Sequence, residues 1–261
     1  MRRLMLLAVL ALIAGLNTAQ AADHKNPTAP ILVELFTSEG CSSCPPADAW
    51  LQHLDASQPI PGAQLIVLSE HVDYWDRDGW KDPFSSSAFT DRQSAYARVL
   101  GINSPYTPQL IVDGKTELQL SESRQISQIL QNAAKAPQVT VSIGVIKVEG
   151  NSPAILRAHI DADGTASTHS SDLYAAVALD HAESQVLHGE NGGRHLTHTA
   201  VVLQLIKLGK VDRGKTFTTD LNAKLKPGAD TQNLRLIVFA QEPDLGSVLG
   251  AALQQVTPST K

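Results

Sequence analysis

Short apolar runs alternate with segments of helical periodicity through the first half of the chain. Each apolar run is bounded by turn residues, a pattern typical of buried strands. The predicted strands are residues 31–36, 64–69, 109–112 and 116–120. The intervening segments place apolar side chains three and four residues apart, which predicts amphipathic helices. The predicted helices are residues 47–54, 87–100 and 123–136.

After Pro137 the pattern changes, and apolar residues alternate with mostly polar ones. Such period-two runs, separated by Gly, Asn, Asp and Pro clusters, are typical of half-buried strands in an all-β sandwich. The predicted runs are residues 139–145, 155–160, 173–179, 197–208, 217–221, 234–239 and 248–256. We therefore predict an α/β domain over residues 31–136 and a β-sandwich domain over residues 137–261.

The first 21 residues have the three parts of a signal peptide in order. Arg2 and Arg3 supply positive charge, residues 4–16 are apolar, and Ala19-Gln20-Ala21 fits a cleavage site. The apolar part is too short for a mature transmembrane helix, although an uncleaved anchor is the alternative. We expect a mature chain from Ala22, a flexible lead-in over residues 22–30, and a periplasmic or secreted protein without membrane attachment.

Composition excludes some classes of function. Charged residues make up 18% of the 261 residues, aromatic residues 5%, and the formal net charge is −5. This balance is typical of a soluble globular protein. Lys and Arg form no run that could follow a phosphate backbone, so we expect no nucleic-acid partner.

The only two cysteines, Cys41 and Cys44, lie between a predicted strand and a predicted helix. A covalent haem site would need His where Pro45 stands, and a zinc site would need further ligands nearby. A redox-active dithiol and an inert structural disulfide remain. A helix start favours the reactive dithiol, because its free amides and dipole stabilise a thiolate.

The order strand, Cys-x-x-Cys helix, strand, helix, Thr-Pro turn, two strands and helix resembles the thioredoxin fold. The resemblance implies a cis peptide bond between Thr107 and Pro108, facing the dithiol and offering backbone groups to a client strand. It also implies that Glu34 is a buried acid able to exchange a proton with Cys44. The alternative for Glu34 is a solvated position at a strand edge.

Three segments further resemble a secreted thioredoxin-like family of unknown function, the domain-of-unknown-function family 1223. They are SEHVDYWDRDGWKDPFSSSAFTDRQSAYARVLG (69–101), YTPQLIVDG (106–114) and GENGGRHLTH (189–198). This resemblance covers nearly the whole mature chain. It implies a fold and an export signal, and it implies no established substrate or reaction.

His71 and Asp73 follow directly after the second predicted strand, at the edge of the sheet where the dithiol also lies. A protonated His71 would favour the thiolate, and a neutral His71 could carry a proton or join Cys41 and Cys44 as a third copper ligand. The alternative is a network of His71, Asp73 and Asp76 that fastens the loop.

Aromatic residues are concentrated before residue 107. We predict that Tyr74, Trp75 and Tyr106 contact a client peptide, with packing of these rings as the alternative. In the second half, His195 and His198 are the most closely spaced of four histidines. On a strand, residues three apart point to opposite faces, which argues against a shared metal ion.

Two hypotheses follow from the sequence. The first is a periplasmic thiol–disulfide oxidoreductase without a cofactor, in which Cys41 attacks and Cys44 resolves, with a protein client or redox partner. The second is a non-catalytic thioredoxin-like module. In that case the dithiol and His71 hold copper, or the cysteines form a structural disulfide, and the sandwich binds the partner.

Overall fold

A computed structural model describes residues 28–135, 137–150 and 152–256 of the chain. The predicted signal peptide, its cleavage site, most of the lead-in and the boundary residue Ala136 lie outside the described residues. Ala29 and Pro30, expected in the lead-in, belong instead to the first strand, because the pairing of β1 with its neighbour begins at Ala29 and Ala63.

All seven elements predicted for the first half are present, with small shifts at their ends. The helix after the dithiol begins two residues earlier than predicted, since Pro45 and Pro46 fit the first helical turn. The elements are β1 (Ala29–Thr37), α1 (Pro45–Ser57), β2 (Ala63–His71), α2 (Ser87–Leu100), β3 (Gln109–Val112), β4 (Thr116–Leu118) and α3 (Ser123–Ala133).

Each of the seven alternating runs in the second half is a strand, and one short strand, β6, was not predicted. A 3-10 turn, Pro243–Leu245, precedes the last strand. The strands are β5 (Thr140–Ile143), β6 (Lys147–Glu149), β7 (Ile155–Asp163), β8 (Ser171–Gln185), β9 (His195–Val211), β10 (Thr216–Lys224), β11 (Leu234–Gln241) and β12 (Val248–Gln255).

One mixed sheet of eight strands runs through both halves of the chain, in the order β12-β11-β8-β9-β2-β1-β3-β4. β1 pairs in parallel with β2 and antiparallel with β3. The halves meet where β2 pairs in parallel with β9, at Ser69 and Val201. Strands β10, β7 and β5 form a smaller sheet, with β6 on β7. The protein is therefore rich in strands and built on a continuous mixed sheet.

The smaller sheet packs on one face of the large sheet. Leu156 and Ile160 of β7 lie in one buried cluster with Val177 of β8 and Leu236 and Val238 of β11. Removal of these side chains from water stabilises the association of the two sheets.

The two faces of β1 contact different helices, which decides where its polar residues point. Val33 and Leu35 pack with Leu51 of α1. Phe36, on the other face, packs with Tyr96 of α2. Because side chains alternate along a strand, Glu34 lies on the α2 face, away from the helix that begins at the dithiol.

No helix within the described ranges is long and apolar enough to cross a membrane.

Candidate functional site

The two cysteines form a disulfide at the start of α1. Cys44 caps the helix, and its carbonyl oxygen accepts hydrogen bonds from the amides of Ala47 and Asp48, at 2.8 and 3.1 Å. Pro45 and Pro46 have no N–H to offer. The first two residues of α1 therefore contribute no free amide to the helix start, where the positive end of the helix dipole remains.

The Thr107–Pro108 peptide bond is cis, and Ser43 connects it to the dithiol loop. The hydroxyl oxygen of Ser43 is 3.3 Å from Cys41 Sγ and donates to the carbonyl oxygen of Thr107 at 3.5 Å. Ser42 and Ser43 are exposed, whereas Cys41 and Cys44 are both 0% exposed. Ser43 and the Thr107 carbonyl thus lie beside the disulfide, but neither cysteine is accessible to solvent.

A segment from the second half lies against the dithiol loop. We call residues 186–194, which join β8 to β9, the hairpin tip. Asn191 Nδ2 donates to the carbonyl oxygens of Glu39 and Cys41, at 2.8 and 2.9 Å. The amide of Ser42 donates to Glu190 Oε2 at 3.0 Å. The sequence indicated only a connection between strands here, since neither residue has a local signal for this contact.

Glu34 does not have the position expected of a proton partner for Cys44. It is buried on the α2 face, where Arg92 Nε donates to Glu34 Oε1 at 2.7 Å and the Tyr96 hydroxyl donates to Oε2 at 2.6 Å. A solvated strand edge is also wrong, because Glu34 is 0% exposed. Its carboxylate is paired with a cation on the opposite side of the sheet from α1.

A buried charge cluster lies on the α1 side instead: Glu39, Asp48 and His198. His198 Nε2 is 3.3 Å from Glu39 Oε1, and His198 Nδ1 is 3.7 Å from Asp48 Oδ1. Burial lowers the pKa of His198, but the two neighbouring carboxylates outweigh burial and raise the pKa to about 9. His198 is therefore an imidazolium at neutral pH.

This cluster is coupled to the dithiol loop through α1 and through the chain before Cys41. Asp48 is four residues after Cys44, so the two share one face of the helix. Asp48 Oδ2 accepts from the Thr37 hydroxyl at 3.2 Å, while Oδ1 has no hydrogen-bond partner. Glu39 precedes Cys41 by two residues and accepts from the indole of Trp80 at 2.7 Å.

His71 joins the edge of this cluster and makes no contact with the sulfurs. Its Nδ1 is 2.7 Å from Asp82 Oδ2, and its ring meets that of His198 at 4.8 Å between centroids. Burial raises the pKa of Asp82, but the neighbouring His71, together with the amides of Glu39 and Phe84, outweighs burial and lowers it. Among the described residues, no three His, Cys, Asp or Glu side chains converge on a point that could hold a metal ion.

The loop after β2 is fastened by polar contacts, but through partners the sequence did not indicate. Asp73 Oδ1 accepts from the Thr90 hydroxyl at 2.6 Å. Asp76 Oδ2 accepts from the Ser85 hydroxyl at 2.8 Å. His71 and Asp76 both contact Asp82, through its carboxylate and its amide, whereas Asp73 holds Thr90.

The aromatic residues predicted to contact a client lie close together: the rings of Tyr74 and Trp75 are 6.4 Å apart between centroids, and Gln93 contacts both Tyr74 and Tyr106. Trp75 Nε1 donates to Thr107 Oγ1 at 2.8 Å, so this indole positions the residue before the cis bond. The Tyr74 hydroxyl donates to Gln93 at 3.2 Å. Tyr106 is 40% exposed beside a shallow cavity of about 280 Å³ that Pro108 also lines.

His195 and His198 point to opposite faces of β9, as their spacing predicts. His195 is exposed and lies 3.3 Å from Glu183, whereas His198 is 1% exposed beneath the dithiol loop. A histidine that alternates with apolar residues along a strand was a signal for burial. Nothing local signalled that its partners would be Glu39 and Asp48, about 150 residues earlier in the chain.

Comparisons with known proteins identify a family, and the similar solved structures include two that cover most of this chain. Residues 32–241 match the family described as "Protein of unknown function (DUF1223)". The crystal structure of protein AGR_C_4864 from Agrobacterium tumefaciens is similar, with 28% identity, a TM-score of 0.67, and coverage of 88% of this chain and 96% of that chain. HBP35 of Porphyromonas gingivalis has 16% identity, a TM-score of 0.63, and coverage of 90% and 78%. No curated protein matches the sequence.

Proposed function

This chain belongs to the DUF1223 family of proteins of unknown function, and from that premise we propose that it is a thiol–disulfide oxidoreductase with a thioredoxin-like first half. The observation that carries the proposal is the Cys41–Cys44 disulfide at the start of α1, beside the carbonyl of Thr107. Two cysteines one helical turn apart can exchange with a client through a mixed disulfide.

The order of strands supports the thioredoxin-like architecture. In the first half the order is β2-β1-β3-β4, with β1 and β2 parallel and β3 antiparallel to β1. α1 connects β1 to β2, and its start places the dithiol at the carboxyl end of β1. In sheets with parallel strands this edge is where sites form.

The proposed reaction is an exchange of two electrons between two dithiols. A client thiolate attacks Cys41 Sγ, the bond to Cys44 breaks, and Cys44 leaves as a thiolate. The second client thiolate then attacks the client sulfur of the mixed disulfide, and Cys41 leaves. The client dithiol is oxidised to a disulfide while Cys41 and Cys44 are reduced, and the same steps in reverse reduce a client disulfide.

The buried cluster under the dithiol supplies charge and a proton acceptor for this exchange. The imidazolium of His198 opposes the negative charge that a leaving thiolate brings to the start of α1. Asp48 Oδ1, buried and without a hydrogen-bond partner, can accept the proton of a Cys44 thiol. Asp48 thus takes the role that the sequence gave to Glu34.

We place this activity outside the cytoplasm, because the pattern of residues 1–21 is that of an export signal. An oxidising compartment maintains the disulfide form. The partners are a protein client and a second thiol–disulfide protein that restores the starting state.

A second candidate, a non-catalytic module stapled by its disulfide, is favoured by the burial of both sulfurs. Structural disulfides resist the glutathione pool, with reduction potentials below about −300 mV, whereas catalytic pairs lie between about −120 and −270 mV. Copper binding through Cys41, Cys44 and His71 has no comparable support, since His71 is bonded to Asp82.

Insulin reduction and equilibration with glutathione test the proposal. We expect a potential in the catalytic range and a loss of activity of roughly 100-fold or more in Cys41→Ser, because the attacking sulfur is gone. Cys44→Ser should accumulate a mixed disulfide, since the resolving sulfur is gone. A potential below about −300 mV, with equal insulin reduction by wild type and Cys41→Ser, would contradict the proposal and favour the staple.

A further inference from the structure

The hairpin tip contacts the chain on both sides of Cys41, and both sulfurs beneath are closed to solvent. Asn191 bonds the carbonyls of Glu39 and Cys41, and Glu190 bonds the amide of Ser42. All three contacts come from a segment about 150 residues later in the chain, and Gly189 of the tip also lies against residues 78–80. These contacts all fall outside β1 and α1, so the tip can leave the dithiol loop without breaking either element.

The tip is held together by its own hydrogen bonds. The amide of Val186 donates to the carbonyl of Arg194, and the amide of Gly193 donates to the carbonyl of Val186, at 3.0 and 2.8 Å. Gly189 and Gly193 have positive φ, which other residues rarely adopt. A unit that satisfies its own backbone groups can move as one body at the end of the β8–β9 hairpin.

One buried hydrogen-bonding group of the hairpin tip has no partner in the closed position. Asn191 is 0% exposed, and its Oδ1 is buried without a hydrogen-bond partner. An unpaired buried acceptor opposes closure, because water would hydrate it in the open position. The two bonds of Nδ2 favour closure. Closure thus combines hydrogen bonds that favour it with one buried acceptor that opposes it.

We propose that the hairpin tip is a gate over the dithiol, which closes through Asn191 and Glu190 and must lift before Cys41 can react. This deepens the proposed function and rests on it. In the closed position, the Glu190 carboxylate sits on the Ser42 amide, next to the place where a Cys41 thiolate would form. Like charges repel, so the closed gate favours the disulfide and the open gate favours the reduced form.

The groups that the gate occupies indicate what opens it. They are two carbonyl acceptors, of Glu39 and Cys41, and one amide donor, of Ser42. An extended polypeptide offers both N–H and C=O groups along its length, so it can replace the gate at these positions. A client strand that binds beside Cys41 is therefore the occupant that displaces the tip.

The rate at which a water-soluble phosphine reduces the disulfide measures gate opening without any client. We expect Asn191→Ala to be reduced roughly 10- to 100-fold faster than wild type, because two hydrogen bonds that hold the gate are lost. Asn233→Ala is the matched control, since its side chain also bonds backbone groups, those of His181, away from the dithiol. Its rate should equal that of wild type.

Glu190→Gln provides a second, milder variant, because Glu190 is exposed and the substitution keeps its size. We expect reduction about threefold faster and a lower pKa of Cys41 in the reduced protein, since a charged hydrogen bond becomes neutral. Circular dichroism and thermal unfolding establish that each variant is folded. If Asn191→Ala fails to fold, the reduction rate of Glu190→Gln alone tests the gate.

Unchanged or slower reduction in the folded variants would overturn the gate. This readout is separate from the proposed function, because the phosphine requires neither client nor catalysis. Faster reduction combined with a reduction potential below the range of catalytic dithiols would support the gate and overturn the oxidoreductase.

Discussion

Replacing Arg92 with methionine is expected to lower the free energy of unfolding by about 3–5 kcal/mol. Arg92 is 8% exposed, and it donates to Glu34 at 2.7 Å and to Gln241 at 3.1 Å. Its guanidinium also lies 3.6 Å from Glu70, a second buried carboxyl. Methionine fills most of the same space, so the loss reflects chiefly the missing charge.

The size of this effect follows from two acids that share one cation. Burial, and then the charge of Glu34, raises the pKa of Glu70 to about 8, although Arg92 lowers it. Both oxygens of Glu70 lack a hydrogen-bond partner, so it is neutral at pH 7. Glu34 is then the one charge that Arg92 balances. Without Arg92, that charge is left buried and unpaired, which is among the costliest changes in a protein interior.

Urea unfolding of wild type and Arg92→Met, followed by circular dichroism, gives the difference directly. Arg98→Met is the control, since Arg98 is an exposed residue of the same helix and its loss should change stability by less than about 0.5 kcal/mol. A loss below about 1 kcal/mol in Arg92→Met would show that Glu34 does not depend on this cation.

The same contacts link the two halves of the chain. Arg92 and Tyr96 lie on α2, and both bond Gln241 at the end of β11. The Gln241 amide also donates to the carbonyl of Gly246 at 3.0 Å. This junction ties the end of β11, in the second half, to α2 and to Glu34 of β1, in the first half.

The elements of the fold were predictable because their signals are local. The run 31–36 and the alternating run 173–179 identify strands without reference to the rest of the chain. The continuous sheet was not predictable. β2 and β9 meet at Ser69 and Val201, and this parallel pairing over a long sequence separation has no local signal. The predicted boundary at Ala136 divides the chain into two domains, and it gave no indication that one sheet contains strands from both halves.

The site was predictable where its residues are close in sequence or carry a motif. The cysteines and the Thr107–Pro108 turn are such residues, and Ser43 lies within hydrogen-bond distance of both Cys41 Sγ and the Thr107 carbonyl. The prediction that Glu34 exchanges a proton with Cys44 was wrong. Both faces of β1 are covered by apolar side chains, so the sequence of this strand does not show which face an acidic residue lies on. Asn191 and His198 act through tertiary contacts alone, which no spacing near the cysteines predicts.

Replacing His198 with glutamine is expected to remove about 3 kcal/mol of stability near pH 6, an effect that disappears toward pH 10. The pKa of His198 is raised from 6.5 to about 9 in the folded protein. A folded pKa above the unfolded value contributes stability that is complete below about pH 6.5 and is lost as pH rises through about 9. A difference of about 2.5 units corresponds to about 3 kcal/mol.

The measurement is the difference in unfolding free energy between wild type and His198→Gln across pH 5.5–10. Burial raises the pKa of Glu70 to about 8 and that of Asp113 to about 7, so both groups titrate in this range. Because they do so in both proteins, their contribution cancels in the difference. His195→Gln is the matched control, since His195 lies three residues away on the exposed face of the same strand and its variant should follow wild type at every pH. A difference that stays constant with pH would mean that His198 is held by packing alone. A difference that narrows as pH rises would establish a buried imidazolium between Glu39 and Asp48, the charge on which the proposed stabilisation of the Cys44 thiolate depends.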